Sequence, residues 1–122
     1  MDKPTALLGE ILEALKRSDE KKIEGMIYGI NLPPDAFEMI VPMFRELYGL
    51  DLKASIIPLG ELEEYQMHYV KMAPRSVRDA LEWAVKLEYE IIDGQEKVSG
   101  NLSFPVYFVD GAYRILLVGG SA

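Results

Sequence analysis

The sequence predicts an α+β domain in which N-terminal helices pack on the concave side of a curved, mainly antiparallel sheet. Apolar residues recur at helical spacing through the first half of the chain and alternate with polar ones through most of the second. Two Asp-Gly pairs, Asp93-Gly94 and Asp110-Gly111, punctuate the alternating half as hairpin turns do. Helices followed by a meander of strands is the α+β layout.

Thr5 can cap a first helix that carries Leu7, Leu8, Ile11, Leu12 and Leu15 on one stripe. Lys16 and Arg17 complement the negative end of its dipole. Ser18 or Asp19 caps a shorter helix bearing Ile23, Met26, Ile27 and Ile30, with Gly29 and Asn31 as its terminators. After the rigid Leu32-Pro33-Pro34-Asp35 connector, a third helix carries Phe37, Ile40, Val41, Phe44, Leu47 and Tyr48 and stops at Gly49. Pro42 lies inside that helix, where a missing N–H and a clash with the preceding turn predict a kink or a split.

Leu52, Ala54 and Ile56 then alternate as a strand. The segment 61–72 fits either period; its tyrosines and valine tilt the reading to a strand. Leu81, Trp83, Val85, Leu87, Tyr89 and Ile91 alternate without a miss, predicting a long strand with one buried face, although a short helix over 76–84 competes for its start. The return strand carries Val98, Gly100, Leu102, Phe104, Val106 and Phe108 in phase. Pro105 removes one ladder donor from it and predicts an edge or a bulge there. A last strand runs from Tyr113 to Val118, followed by a frayed Gly119-Gly120-Ser121-Ala122 tail.

With 122 residues and no linker, repeat or low-complexity tract, residues 1–122 form a single domain. The absence of cysteine excludes disulfides, iron–sulfur clusters and thiolate zinc sites. No phosphate-cradling glycine loop or zinc spacing is present, so no cofactor is expected. The net charge of −7, with scattered Lys and Arg, argues against nucleic acid or an anionic membrane as partner. No apolar run approaches the roughly 20 residues a membrane helix needs, and no signal-peptide pattern opens the chain. A cytoplasmic location is expected.

The closing hairpin Phe104-Pro105-Val106-Tyr107-Phe108-Val109-Asp110-Gly111-Ala112-Tyr113-Arg114-Ile115, together with the order of elements, resembles the nuclear transport factor 2-like superfamily of cystatin-like α+β cones. The resemblance implies a cone open to a small molecule and frequent homodimerisation through the outer sheet surface. It implies no single activity, since the superfamily holds isomerases, dehydratases, cyclases and non-catalytic domains.

Enzymes on such a scaffold need a proton donor or acceptor inside an apolar pocket. On the two long strands only Tyr89 brings a polar group inward. His68, the single histidine, and Asp79, in phase with Leu81 and Trp83, are the remaining candidates, with Tyr65 as a possible relay partner. Each has a plainer reading as a solvated surface group. Glu61, Glu63 and Glu64 lack a calcium-loop pattern. The expected function is therefore a non-catalytic dimeric domain whose cone is filled or binds a small apolar ligand, lined by Tyr28, Tyr48, Tyr65, Trp83 and Tyr89. The alternative is a small isomerase, dehydratase or cyclase using His68 or Asp79. The outward residues Ala84, Tyr107, Val109, Leu116 and Val118 make an apolar sheet face, and a twofold homodimer is the expected cover for it.

Overall fold

The computed structural model describes residues 4–119; the frayed tail predicted beyond Gly119 lies outside them. Helices α1 (Thr5–Arg17), α2 (Glu20–Gly25) and α3 (Ala36–Arg45) alternate with strands β1 (Ile27–Ile30) and β2 (Leu52–Pro58). Helices α4 (Glu64–Lys71) and α5 (Arg75–Arg78) follow, and then β3 (Trp83–Asp93), β4 (Glu96–Val109) and β5 (Ala112–Val118) complete the α+β domain. The strands form one open, mixed sheet in the order β1-β5-β4-β3-β2, with only β1 and β5 parallel.

The N-terminal helices cover one face. Leu7, Ile11, Ala14 and Leu15 of α1, Ile23 of α2 and Phe44 of α3 are buried against Val85, Leu87, Phe104, Val106 and Ile115. The rings of Phe44 and Phe104 stack there with centroids 5.6 Å apart. Ser18 ends α1 in the left-handed conformation, and the Asp19 carboxylate accepts from the Lys22 N–H to open α2. Pro4, rather than Thr5, occupies the position before the first helical residue of α1. α3 runs through Pro42 as one helix, without the predicted split.

Two elements depart from the sequence reading. The second helix stops at Gly25, and Ile27–Ile30 forms a strand parallel to β5. Ile-Tyr-Gly-Ile satisfies helical and strand periods equally over four residues, so the distant pairing with Ile115–Val118 decides it. The segment 61–72, read as a strand, is instead the helix α4. A capping box between Glu63 and Gln66 starts it, and its apolar residues pack on the sheet.

α4 and α5 cover the opposite sheet face. Leu62, Val70, Ala73, Val77 and Leu81 enclose Ala84 and Leu116 in a second core. Ala84 is fully buried between Val85 and Trp83, so β3 is apolar on both faces at this point. Leu81 belongs to this second core, and the single-face alternation predicted from residue 81 begins only at Trp83. Ile91 and Val98 point to solvent rather than inward. Beyond the last β2 pair, Leu52↔Tyr89, the β3–β4 hairpin projects past the body, and residues 90–99 are exposed. Phe108 is also exposed, with its ring edge-on to Tyr113.

Both predicted turns form. Gly94 takes φ 65° at the head of a two-residue loop between Asp93 and Glu96. Asp110 and Gly111 both have positive φ, as a type I′ hairpin requires. Gly100 faces Tyr89 across the ladder, and the tyrosine ring lies where a Cβ would stand.

Pro105 marks the feature that shapes the molecule. It lies in an interior strand rather than at the predicted edge, but at the point where β4 changes partner. β4 pairs with β3 up to Ala84↔Pro105, and with β5 only from Val106↔Ile115 onward. The Ile115 N–H bonds to Met26 on the β1 side, so the backbone groups of Leu116 and Val118 face β4 by the alternation of a strand. Continuing the register would set Leu116 against Pro105, which has no N–H to give. The two strands part there.

Candidate functional site

The parting of β4 from β5 opens a mainly apolar cleft of about 220 Å³. Leu102–Pro105 form one wall and Leu116–Val118 the other. Val70 and Gln66 of α4 close one side, and Met43 of α3, Tyr65 and Tyr69 stand around it, all three largely exposed. Exposed methionine and tyrosine side chains at a cleft supply adaptable apolar contact surface.

Gln66 holds the cleft open on the β4 side. Its Nε2 donates to the Ser103 carbonyl oxygen at 2.6 Å, and its Oε1 accepts from the Glu63 N–H at 3.2 Å. The Ser103 carbonyl would face β5 in a continuous ladder, so the side chain from α4 replaces a strand partner. Ser103 is the only buried polar residue among those described.

The aromatic residues expected to line one cavity do not converge. Tyr48, Trp83 and Tyr89 pack against the core under the N-terminal helices, whereas Tyr28 packs on the opposite core, with its ring 5.5 Å from Tyr107. Only Tyr65 reaches the cleft. The sheet face under α1, α2 and α3 is filled by their buried apolar side chains. The Tyr48 hydroxyl is buried without a hydrogen-bond partner among the described residues. Burial, and then the nearby Glu20 carboxylate, raise its pKa.

The proposed acid–base groups are also separated. His68 lies on an exposed turn of α4, its ring edge-on to Tyr69, and does not line the cleft. Asp79 follows α5 and faces solvent, 3.6 Å from the Arg75 guanidinium. It does not continue the inward phase of β3 because residues 75–78 are helical. Electrostatic perturbation centres elsewhere. Arg45 donates to the Glu20 carboxylate, and this hydrogen bond lowers the Glu20 pKa and raises that of Arg45. No group of three or more potential metal ligands occurs among the described residues.

The outward face expected to pair with a second copy is covered within the chain only at its centre. Ala84 and Leu116 are buried beneath α4 and α5, while Tyr107, Val109 and Val118 remain half-buried. No helix among the described residues is long and apolar enough to cross a membrane.

Sequence reading did not find Gln66, Ser103 or Met43 as site residues. The available signal was Pro105: a missing donor in an alternating strand implies a gap on the side that donor would have faced. No family model, no curated protein and no solved structure matches the chain.

Proposed function

We propose that the protein is a non-catalytic binding domain for a small apolar molecule, held in the cleft between β4 and β5. The carrying observation is the mainly apolar gap that opens where β4 and β5, paired from Val106↔Ile115 through Val109↔Ala112, part at Pro105. A mainly apolar cleft of this kind favours an apolar occupant. Because α1, α2 and α3 fill one sheet face, this reading puts the ligand between strands rather than in a cone. The layout of N-terminal helices on an open, mainly antiparallel sheet is what supports the resemblance to the nuclear transport factor 2-like superfamily, at the level of architecture alone.

The test is a backbone amide NMR titration with n-butylbenzene. Shifts should concentrate at Ser103, Leu116, Leu117, Tyr69 and Val70 and disappear in Leu117→Trp, whose indole fills the gap. The absence of shifts at these residues up to the solubility limit of the probe would overturn the reading.

A further inference from the structure

The first part of β4 has a neighbouring strand on one side only. From Glu96 to Pro105 it pairs with β3 in a register that runs without a bulge, and β5 joins its other side only from Val106 onward. We infer that this open edge takes up an extended peptide of a partner protein, antiparallel to β4, in which basic residues alternate with apolar ones. The inference goes beyond the cleft reading and does not depend on it. The Ser103 carbonyl accepts from Gln66 on the side away from β3, so by strand alternation the N–H and C=O of Lys97, Ser99 and Asn101 point the same way. These three residues are exposed. No strand pairs with them on that side, and no turn, loop or side-chain hydrogen bond reaches them there among the described residues. Exposed edges are commonly blocked by proline, a bulge or charge. Here the sole charged residue from 97 to 103 is Lys97, which Glu90 holds at 3.2 Å.

The side chains beside the edge select the occupant. On the α4 side of the sheet, Asn101 and Ser103 border a hollow of about 500 Å³ that is also lined by Glu61, Glu63, Glu88 and Lys86. None of these four makes an ion pair among the described residues, so the hollow holds an excess of negative charge next to the open strand. On the other side of the sheet Val98 is exposed and Leu102 half-buried. A strand laid antiparallel along 97–101 sends the residues opposite Ser99 and Asn101 to the acidic side. The residues between and beside them go to the side of Val98 and Leu102. Lysines suit the first set by charge, and valines suit the second by hydrocarbon. A second copy of the chain, with its own net charge of −7, would instead bring more acid to the hollow.

The experiment is a backbone amide NMR titration with the peptide Ac-VKVKV-NH2, and shifts should concentrate at Lys97, Ser99 and Asn101. In the antiparallel register the lysine N–H groups bond to β4 and that of the central valine points away. N-methylation of both lysines should therefore weaken binding roughly ten- to hundredfold, the worth of two net hydrogen bonds, and N-methylation of the central valine should not. The acidic peptide Ac-VEVEV-NH2 should leave these amides unshifted at concentrations where the lysine peptide saturates them. Ser99→Pro removes one edge donor where an edge strand tolerates proline, and should abolish binding. Glu88→Gln leaves the edge intact and should weaken the lysine peptide roughly two- to fivefold. No shift at 97–101 up to the solubility limit of the peptide would overturn the inference, as would valine methylation that weakens binding as much as lysine methylation. Equal binding of the acidic peptide would overturn the basic partner. A peptide-free dimer that Ser99→Pro dissolves would assign the edge to a second copy and overturn the inference as well. Each of these failures leaves the n-butylbenzene test of the cleft standing.

Discussion

Removing Gln66 tests whether the parted strands depend on the side chain that bridges them. Gln66→Ala deletes two hydrogen bonds: one to the exposed N-terminus of α4 and one to the part-buried Ser103 carbonyl. The first contributes about 0.5 kcal/mol at an exposed site, and the second about 1–2 kcal/mol because its acceptor is left unsatisfied. Alanine's better helix propensity returns a few tenths. The expected loss is therefore about 2 kcal/mol, which lowers the urea midpoint by roughly 1 M at a typical slope. Trp83, packed against the main core, provides the fluorescence signal. Gln66→Glu separates the two contributions. A carboxylate still accepts from Glu63 at the helix start but sets a charge against the Ser103 carbonyl, so this variant should lose at least as much as alanine. A midpoint for Gln66→Ala within about 0.3 M of wild type, or wild-type stability for Gln66→Glu, would refute the bridging role.

Gly100→Ala should destabilise by about 1–3 kcal/mol, because its Cβ meets the Tyr89 ring, and the loss should shrink in a Tyr89→Leu background. Equal losses in both backgrounds, measured by urea unfolding, would exclude the clash as the cause. The hydrogen bond from Arg45 lowers the Glu20 pKa in the folded state, so its stabilisation is present above the unfolded carboxylate value of about 4.3 and is lost as pH falls through the lower folded value. Glu20→Gln should flatten the decline of the unfolding midpoint in that acid range; an unchanged slope counts against the pair. Because α4 and α5 already cover Ala84 and Leu116, light scattering should give the single-chain mass of 13.8 kDa. A dimer that Val109→Lys dissolves would show that the outer face associates despite that cover.

The architecture was legible where periodicity was long and turns were marked. The stripe from Leu7 to Leu15 and the alternation from Trp83 to Tyr89 run through enough residues to fix both element and face, and the two Asp-Gly turns fix their hairpins. The chain was ambiguous where local pattern was short. Ile27–Ile30 becomes a strand only because β5 lies beside it, and 61–72 becomes a helix because Leu62 and Val70 find a second apolar face to cover. That second face is written in Ala84 and Leu116, which the sequence sets, with Tyr107, Val109 and Val118, on an outward apolar surface expected to meet a second copy. The apolar surface was legible in the alternation of the strands, but its helical cover was not, since the tyrosines and valine of 61–72 suit a strand as well as a helix. The cleft was hidden for a related reason. Its polar elements are backbone groups and a glutamine from a distant helix, and no spacing in the sequence connects positions 66, 103 and 116.

The position of β5 bears on how the molecule is made. Residues 112–118 insert between a strand from the first quarter of the chain and one synthesised just before them. On the ribosome, Ile27–Ile30 must wait for residues 112–118, its sheet neighbour among the described strands, while the β3–β4 hairpin can form locally. Such distant closure slows the search for the native state. Until it is complete, the apolar surface of the early helices is without the Ile115 side chain that seals it.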